Sequence, residues 1–147
     1  MATGQRVDPF FSYNFLVELD GVVRASFQEA SGLEATIDPI EYREGGQNTT
    51  VRKLPGVTKY SNIVLKRGLT TDADLYDWHR QTVLGNVDFR RNGSIIVLDR
   101  QGLEIARWDF VDAWPTKYHV SDFKSTGNEV AIETLELAHE GIERKFG

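Results

Sequence analysis

The sequence predicts a mainly β protein with one α-helix packed on its flank and one long connection between strands. Three observations carry that prediction: apolar residues alternate with a period of two near the amino terminus, turn residues punctuate the chain throughout, and a single segment has helical spacing with stop and start signals. The elements follow in chain order. In Ser12 to Leu19, Tyr13, Phe15, Val17 and Leu19 share one parity while Ser12, Asn14 and Glu18 take the other, the pattern of a half-buried strand. Asp20-Gly21 then predicts a type I′ turn, because both central positions need positive φ, and Val22 to Ala30 is expected to return antiparallel to the first strand.

The stretch EYREGGQNTTVRKLPG, Glu41 to Gly56, follows as sixteen residues of mixed charge, glycine and threonine. Connections in small domains usually run about 4–6 residues, so a connection of this length is commonly functional or disordered. Val57 to Lys66, with Tyr60, Ile63, Val64 and Leu65, reads as the next strand, closed by Gly68. The helix is expected over Asp72 to Leu84. Thr71 stands as its N-cap with Asp74 at the capping-box position, Asp72, Asp74 and Asp77 favour the positive end of the helix dipole, and Gly85 is placed to stop it. Leu75, Trp78 and Thr82 share a face, beside which lie Tyr76, His79 and Val83.

Ile95-Ile96-Val97-Leu98 is apolar on both parities, which predicts a central strand covered on both sides. Further along, Leu103 and Ile105 share a parity that Trp108 and Phe110 do not, and Val130 with Ile132 differ likewise from Leu135 with Leu137. Such switches suit strands that bend between two packed sheets, or that offer apolar surface to another subunit. Pattern alone leaves NEVAIETLELAHEG open between helix and strand, since Glu and Ala favour helix and the apolar spacing fits neither state fully.

Composition bounds the function. With 147 residues, 40% hydrophobic and 27% charged, the chain suits one domain over residues 1–147, with residues 1–7 as a flexible arm. A net charge of −5 argues against a grip on nucleic acid or an anionic membrane. There is no cysteine, no apolar run long enough to span a bilayer and no secretory amino terminus, so the chain is expected to be made and to remain soluble in a cytoplasm. The N-x-[ST] matches at Asn48 and Asn92 therefore carry no glycosylation reading.

No chemistry emerges. His79, His119 and His139 are far apart and in no metal-ligand spacing, no phosphate-binding glycine motif occurs, and Glu133 with Glu136 reads as solvated rather than catalytic. No nucleophile is paired with a base, so no enzyme, cofactor or metal is expected. Trp108, Phe110 and Trp114, with Pro115, are read first as core and second as interface anchors.

One ordered set of landmarks remains: DPFFSYNFLVELDG, EYREGG, KLPGVTKYSNIVLKRG, LYDWH, WDFVDAWPTKY and GNEVAIETLELAHEG. From about Asp8 to Gly141 the chain resembles the inner tube proteins of contractile injection systems and the bacteriophage tail-tube proteins. That resemblance implies two packed antiparallel sheets, as a β-sandwich or rolled barrel with one flanking helix, and settles the carboxy-terminal segment as a strand. It implies hexameric rings that stack into a hollow tube inside a contractile sheath. The partners implied are further copies of the chain, sheath subunits, baseplate and tube-cap proteins, and cargo in the lumen. The particle would be a phage tail or phage tail-like device assembled in the bacterial cytoplasm.

In such proteins the long loop reaches neighbouring subunits and the next ring. Here Gly45 and Gly46 would supply the bend, and Glu41, Arg43, Glu44, Arg52 and Lys53 would pair across the interface. One strand parity would face the channel, for which Ser12, Asn14 and Glu18, or Glu129, Ala131 and Glu133, are the candidates. Six chains at −5 would give about −30 per ring, a wall that repels acidic cargo. The competing reading is a monomeric β-barrel that binds a small apolar ligand among its aromatic residues.

Overall fold

Alternation over Phe15–Leu19 produces the first strand, β1, whose Val17 and Leu19 point into the core. The structure, a computed structural model, describes residues 14–24, 27–43, 51–85, 89–127 and 129–145. Asp20 and Gly21 both take positive φ, 52° and 76°, and turn the chain into β2 (Val22–Arg24), which pairs with β1 as predicted. The return strand does not run on to Ala30, however. After β2 the chain changes partner, and β3 (Phe27–Ser31) pairs with β6 (Ile63–Gly68) instead.

Between them the expected single strand over Val57 to Lys66 divides. Its first part belongs to β5 (Arg52–Tyr60), which pairs with β4 (Ala35–Tyr42) in a separate two-stranded ribbon; its second part is β6. Ser61 and Asn62 make the break, and the carbonyl of Asn62 lies so close to Gly32, at φ 89°, that no side chain fits there. At its two ends the long connection is thus strand: Glu41 and Tyr42 belong to β4, and Arg52 to Gly56 to β5.

Strand β7 (Arg91–Leu98) lies between β1 and β8 (Glu104–Val120), with Ile95 and Ile96 both buried on opposite sides, as the double-parity run predicts. Strand β8 is long enough to serve two halves of one sheet. Its first part pairs with β7 and with β10 (Gly141–Lys145), and its last part, from Trp114, pairs with β9 (Ile132–Ala138). The inward parity does switch within β8, but at Asp112 (φ 53°), after Ala106 and Phe110 and before Ala113 and Pro115, and not between Ile105 and Trp108. In β9 no switch occurs: Glu133, Leu135 and Leu137 all face inward, and Val130 precedes the strand. The carboxy-terminal segment is strand, as the resemblance implied, because each inward position alternates.

The resulting order is β2-β1-β7-β8-β9-β6-β3, with β10 extending along β8. Its halves share one core, in which Val17, Leu19, Ile95 and Phe110 meet Ile63, Leu65, Leu135 and Leu137. The sheet is folded over in sandwich fashion and is not a closed barrel, since β2 and β3 are its unjoined ends among the described residues. Helix α1 (Asp74–Val83) closes the core with Leu75 and Trp78, and the Trp78 indole N–H donates to the Phe89 carbonyl at 2.5 Å. It starts two residues later than predicted. Ala73 is the N-cap without a side-chain bond, because Asp74 is drawn away from a capping role by Arg67. Gly85, at φ 71°, ends it as expected.

Candidate assembly surfaces

The ribbon β4–β5 is exposed along nearly its whole length. Cross-strand partners share a face, so Ile40 with Leu54 and Tyr42 with Arg52 lie on one side, while Ile37 with Thr58 and Pro39 with Pro55 lie on the other. A bulge opposite Asp38 absorbs one extra residue of β5 and brings Gly56 beneath the Ile40 side chain. Ile37, Ile40, Tyr42, Leu54 and Val57 are all exposed large apolar side chains. A two-stranded hairpin is marginal in water by itself, and one with bare apolar groups on both faces loses more stability than it gains without a partner surface. Lys59 and Asp38, 2.9 Å apart, form an exposed ion pair within it.

Of the residues assigned to the inter-subunit loop from sequence, Glu41 lies in β4 opposite Lys53 of β5, Arg52 lies opposite Tyr42, and Arg43 follows β4. Glu44, Gly45 and Gly46 lie outside the described residues. Sequence reasoning fastened on the charges and missed the apolar set. The signal was present in the spacing of Ile40, Tyr42, Leu54 and Val57, but a Pro in each run obscured it.

The four-stranded half, β8-β9-β6-β3, has two distinct faces. Leu65, Leu135 and Leu137 point inward, so the alternate positions Glu29, Lys66, Lys117, His119, Thr134 and Glu136 point outward. Lys66 sits 3.7 Å from Glu29, and Asn62 donates to Glu136 at 3.0 Å. Two positive and two negative side chains therefore share this face with His119. The other half carries a network around Arg107, which donates to Glu104 at 2.9 Å and to Ser94 at 3.2 Å while lying 3.7 Å from Glu18. Glu18 thus faces outward, held by Arg107.

Glu133 is a correction. Grouped by sequence with Glu129 and Ala131 as a channel-facing candidate, it is 1% exposed and faces the core beneath α1. It accepts from Arg67 Nε at 2.8 Å and from the Tyr118 hydroxyl at 2.7 Å, and Arg67 also reaches Asp74 at 2.5 Å and the Asp72 carbonyl at 3.2 Å. Such a buried acid is tolerable because it is paired and hydrogen-bonded. Burial lowers the tendency of Arg67 to stay charged, but its bonds to Glu133 and Asp74 outweigh this and raise its pKa. Burial, then the bond to Glu133, push the Tyr118 phenol well above its ordinary value, so it remains a donor.

Glu129 and Asn14 are exposed, and Ser12 lies outside the described residues. Phe110 and Pro115 are fully buried core residues. Trp108 and Trp114 are half-buried, the first under the Arg144 guanidinium and the second edge-on to Phe89. Among the described residues no group of acidic or histidine side chains is placed to hold a metal, and no helix is long and apolar enough to cross a membrane.

Residues 121–125, Gly127 and residues 129–132, between β8 and β9, border a cavity of about 750 Å³. Backbone bonds from Ser121 to Ile132 (2.9 Å) and from Gly127 to Lys124 (3.1 Å) hold the walls. Phe123, 74% exposed, and Val130, 69% exposed, stand at its rim.

The family model described as "T4-like virus tail tube protein gp19" matches residues 11–143. Among solved structures, a chain of the anti-feeding prophage baseplate is 25% identical, with 96% of this chain and 98% of that one covered at a TM-score of 0.83. A chain of the sheath-tube complex of an extracellular contractile injection system, PVC, in its extended state is 27% identical, with 95% and 93% covered at a TM-score of 0.84. Hcp1 from Flavobacterium johnsoniae, 18% identical, with 90% of this chain and 95% of that one covered at a TM-score of 0.53, shares the fold. No curated protein is similar enough in sequence to count as a match.

Proposed function

Because the chain belongs to the T4-like virus tail tube protein family, we propose that its copies close into six-membered rings that stack as the inner tube of a contractile injection system or phage tail. Its work is structural rather than enzymatic, and it needs no cofactor. Assembly takes place in the bacterial cytoplasm, against sheath subunits, a baseplate that templates the first ring and a cap that ends the last.

The observation that supports this best is the exposed ribbon β4–β5, apolar on both faces and uncovered by its own chain. Its role is to reach neighbouring copies, with Glu41, Arg43, Arg52 and Lys53 setting register by charge while Ile37, Ile40, Tyr42, Leu54 and Val57 supply buried area. A head-to-tail contact closes into a ring when its rotation divides the circle, whereas contacts along the axis propagate. One chain thereby makes both ring and tube.

Within the ring, the free edges of the four-stranded half join copy to copy and satisfy the backbone groups that an open edge leaves unpaired. The polar face bearing Glu29, Lys66, Lys117, Thr134 and Glu136 then lines the channel, away from α1. Charges on that face balance, so most of the net −5 lies elsewhere and the wall neither grips nor strongly repels a charged cargo. This differs from the uniformly repelling wall that net charge alone would give.

Replacing Arg43, Arg52 and Lys53 together with Glu tests the reading. The variant should keep its fold by circular dichroism and lose tube formation; tubes of ordinary length from it would contradict the role given to the ribbon.

A further inference from the structure

One row of side chains crosses all the strands of the four-stranded half on its outward face. His119 of β8 pairs with Thr134 of β9, Thr134 with Lys66 of β6, and Lys66 with Glu29 of β3. The row lines a groove of about 510 Å³ together with Gln28, Ser121 and Ile132. Each lysine of this face is matched by a carboxylate: Lys66 lies 3.7 Å from Glu29, and Lys117 stands opposite Glu136 in the strand register. His119 is matched by Thr134 instead, a neutral hydroxyl. Tyr118 and Glu133, next to the row in sequence, are on the other side of the sheet and bonded to each other. Asp122 begins the loop beyond β8, at the cavity described above.

Histidine is the side chain whose charge ordinarily changes between about pH 5 and 8. A protonated His119 therefore adds one positive charge to a face whose other charges cancel, and each copy in the proposed ring repeats it around the channel. The Thr134 and Ser121 hydroxyls and the Gln28 amide supply neutral donors in the same groove. Single cations set among hydroxyl and amide donors suit separate carboxylates. A nucleic-acid backbone calls instead for clustered lysine and arginine, and both lysines here already face acids. We infer that this row is a binding surface for acidic polypeptide whose grip is set by pH: a protonated His119 holds carboxylates to the channel wall, and its deprotonation lets them go.

This inference rests on the channel placement of the face proposed above, and the test separates the two. Assembled tubes, checked by electron microscopy, are sedimented with fluorescent poly-L-aspartate, which stays charged throughout, at about pH 5.5 and about pH 7.5 in low salt. Wild-type tubes should carry down at least roughly tenfold more polymer at the lower pH, and salt should release it. His119→Gln should give the low value at both pH values and His119→Lys the high one, while His79→Gln, on α1, should respond as wild type does. A full pH response from His119→Gln tubes, or none from wild type, would overturn the inference. Stronger His119-dependent retention of single-stranded DNA than of polyaspartate would also overturn it, by making nucleic acid the ligand. Polyaspartate tied to beads too wide to enter a channel locates the row, and tubes are expected to leave such beads uncaptured. His119-dependent capture of the beads would keep the anion surface and remove its place in the channel.

Discussion

Arg67 is a cation with a low-dielectric environment and two anionic partners, Glu133 at 2.8 Å and Asp74 at 2.5 Å, one on β9 and one at the start of α1. It therefore fastens the helix to the sheet. Removing only the cation leaves Glu133 buried and partly uncompensated, so Arg67→Met is expected to cost about 3–5 kcal/mol in urea unfolding. Tyr118→Phe deletes a bond to a charged acceptor and should cost about 1.5–3 kcal/mol. Because folding raises the Tyr118 pKa, its contribution is fully present below the unfolded value of about 10 and is lost as pH rises above it. Wild type should accordingly lose stability on the alkaline side more steeply than Tyr118→Phe, and identical alkaline limbs would contradict this assignment. None of this network was legible in the sequence. Arg67 and Glu133 are 66 residues apart, and neither carries a local signal that it will be buried.

At the scale of elements, β7 and β8 depend on Gly93. A side chain there would meet the Phe110 ring at 2.5 Å and the Glu18 carbonyl at 2.6 Å, so Gly93→Ala should destabilise by about 1–3 kcal/mol, read as a lowered thermal midpoint. The ribbon should behave oppositely. Ile40→Asp changes an exposed residue that packs on nothing essential to the monomer, so the thermal midpoint should stay near wild type while assembly is lost. What sequence could and could not yield follows from locality. The Asp20-Gly21 turn, the double-parity β7 and the Gly85 helix stop are decided by neighbouring residues, and each was legible. The departure of β3 from β2, and the division of the Val57 to Lys66 run between two sheets, are decided by distant partners. The late start of α1 has the same origin, since Asp74 answers Arg67 rather than its own helix. The parity switch in β8 was foreseen, but its place depends on Asp112 adopting a positive φ where the strand changes from β7 to β9.

For the whole molecule, the family was legible because its landmarks recur in order over nearly the entire chain, and the matched residues 11–143 cover all of them but the first three residues, Asp8 to Phe10. Of the proposed assembly surface, the charged stretch was picked out by its length, while the exposed apolar ribbon needed the folded chain. In the ring proposed above, joining the edges of the four-stranded half would bury backbone groups that otherwise invite uncontrolled pairing. Charge contributes to register through exposed groups, so tube formation should weaken as salt rises, but its apolar part should persist. Sedimentation at increasing ionic strength would show this as a raised assembly threshold rather than abolition. The most direct measurement is electron microscopy of the purified chain at increasing concentration, with and without baseplate. Six-fold rings passing into tubes are the predicted result; a folded monomer at every concentration, even with baseplate present, would contradict the account.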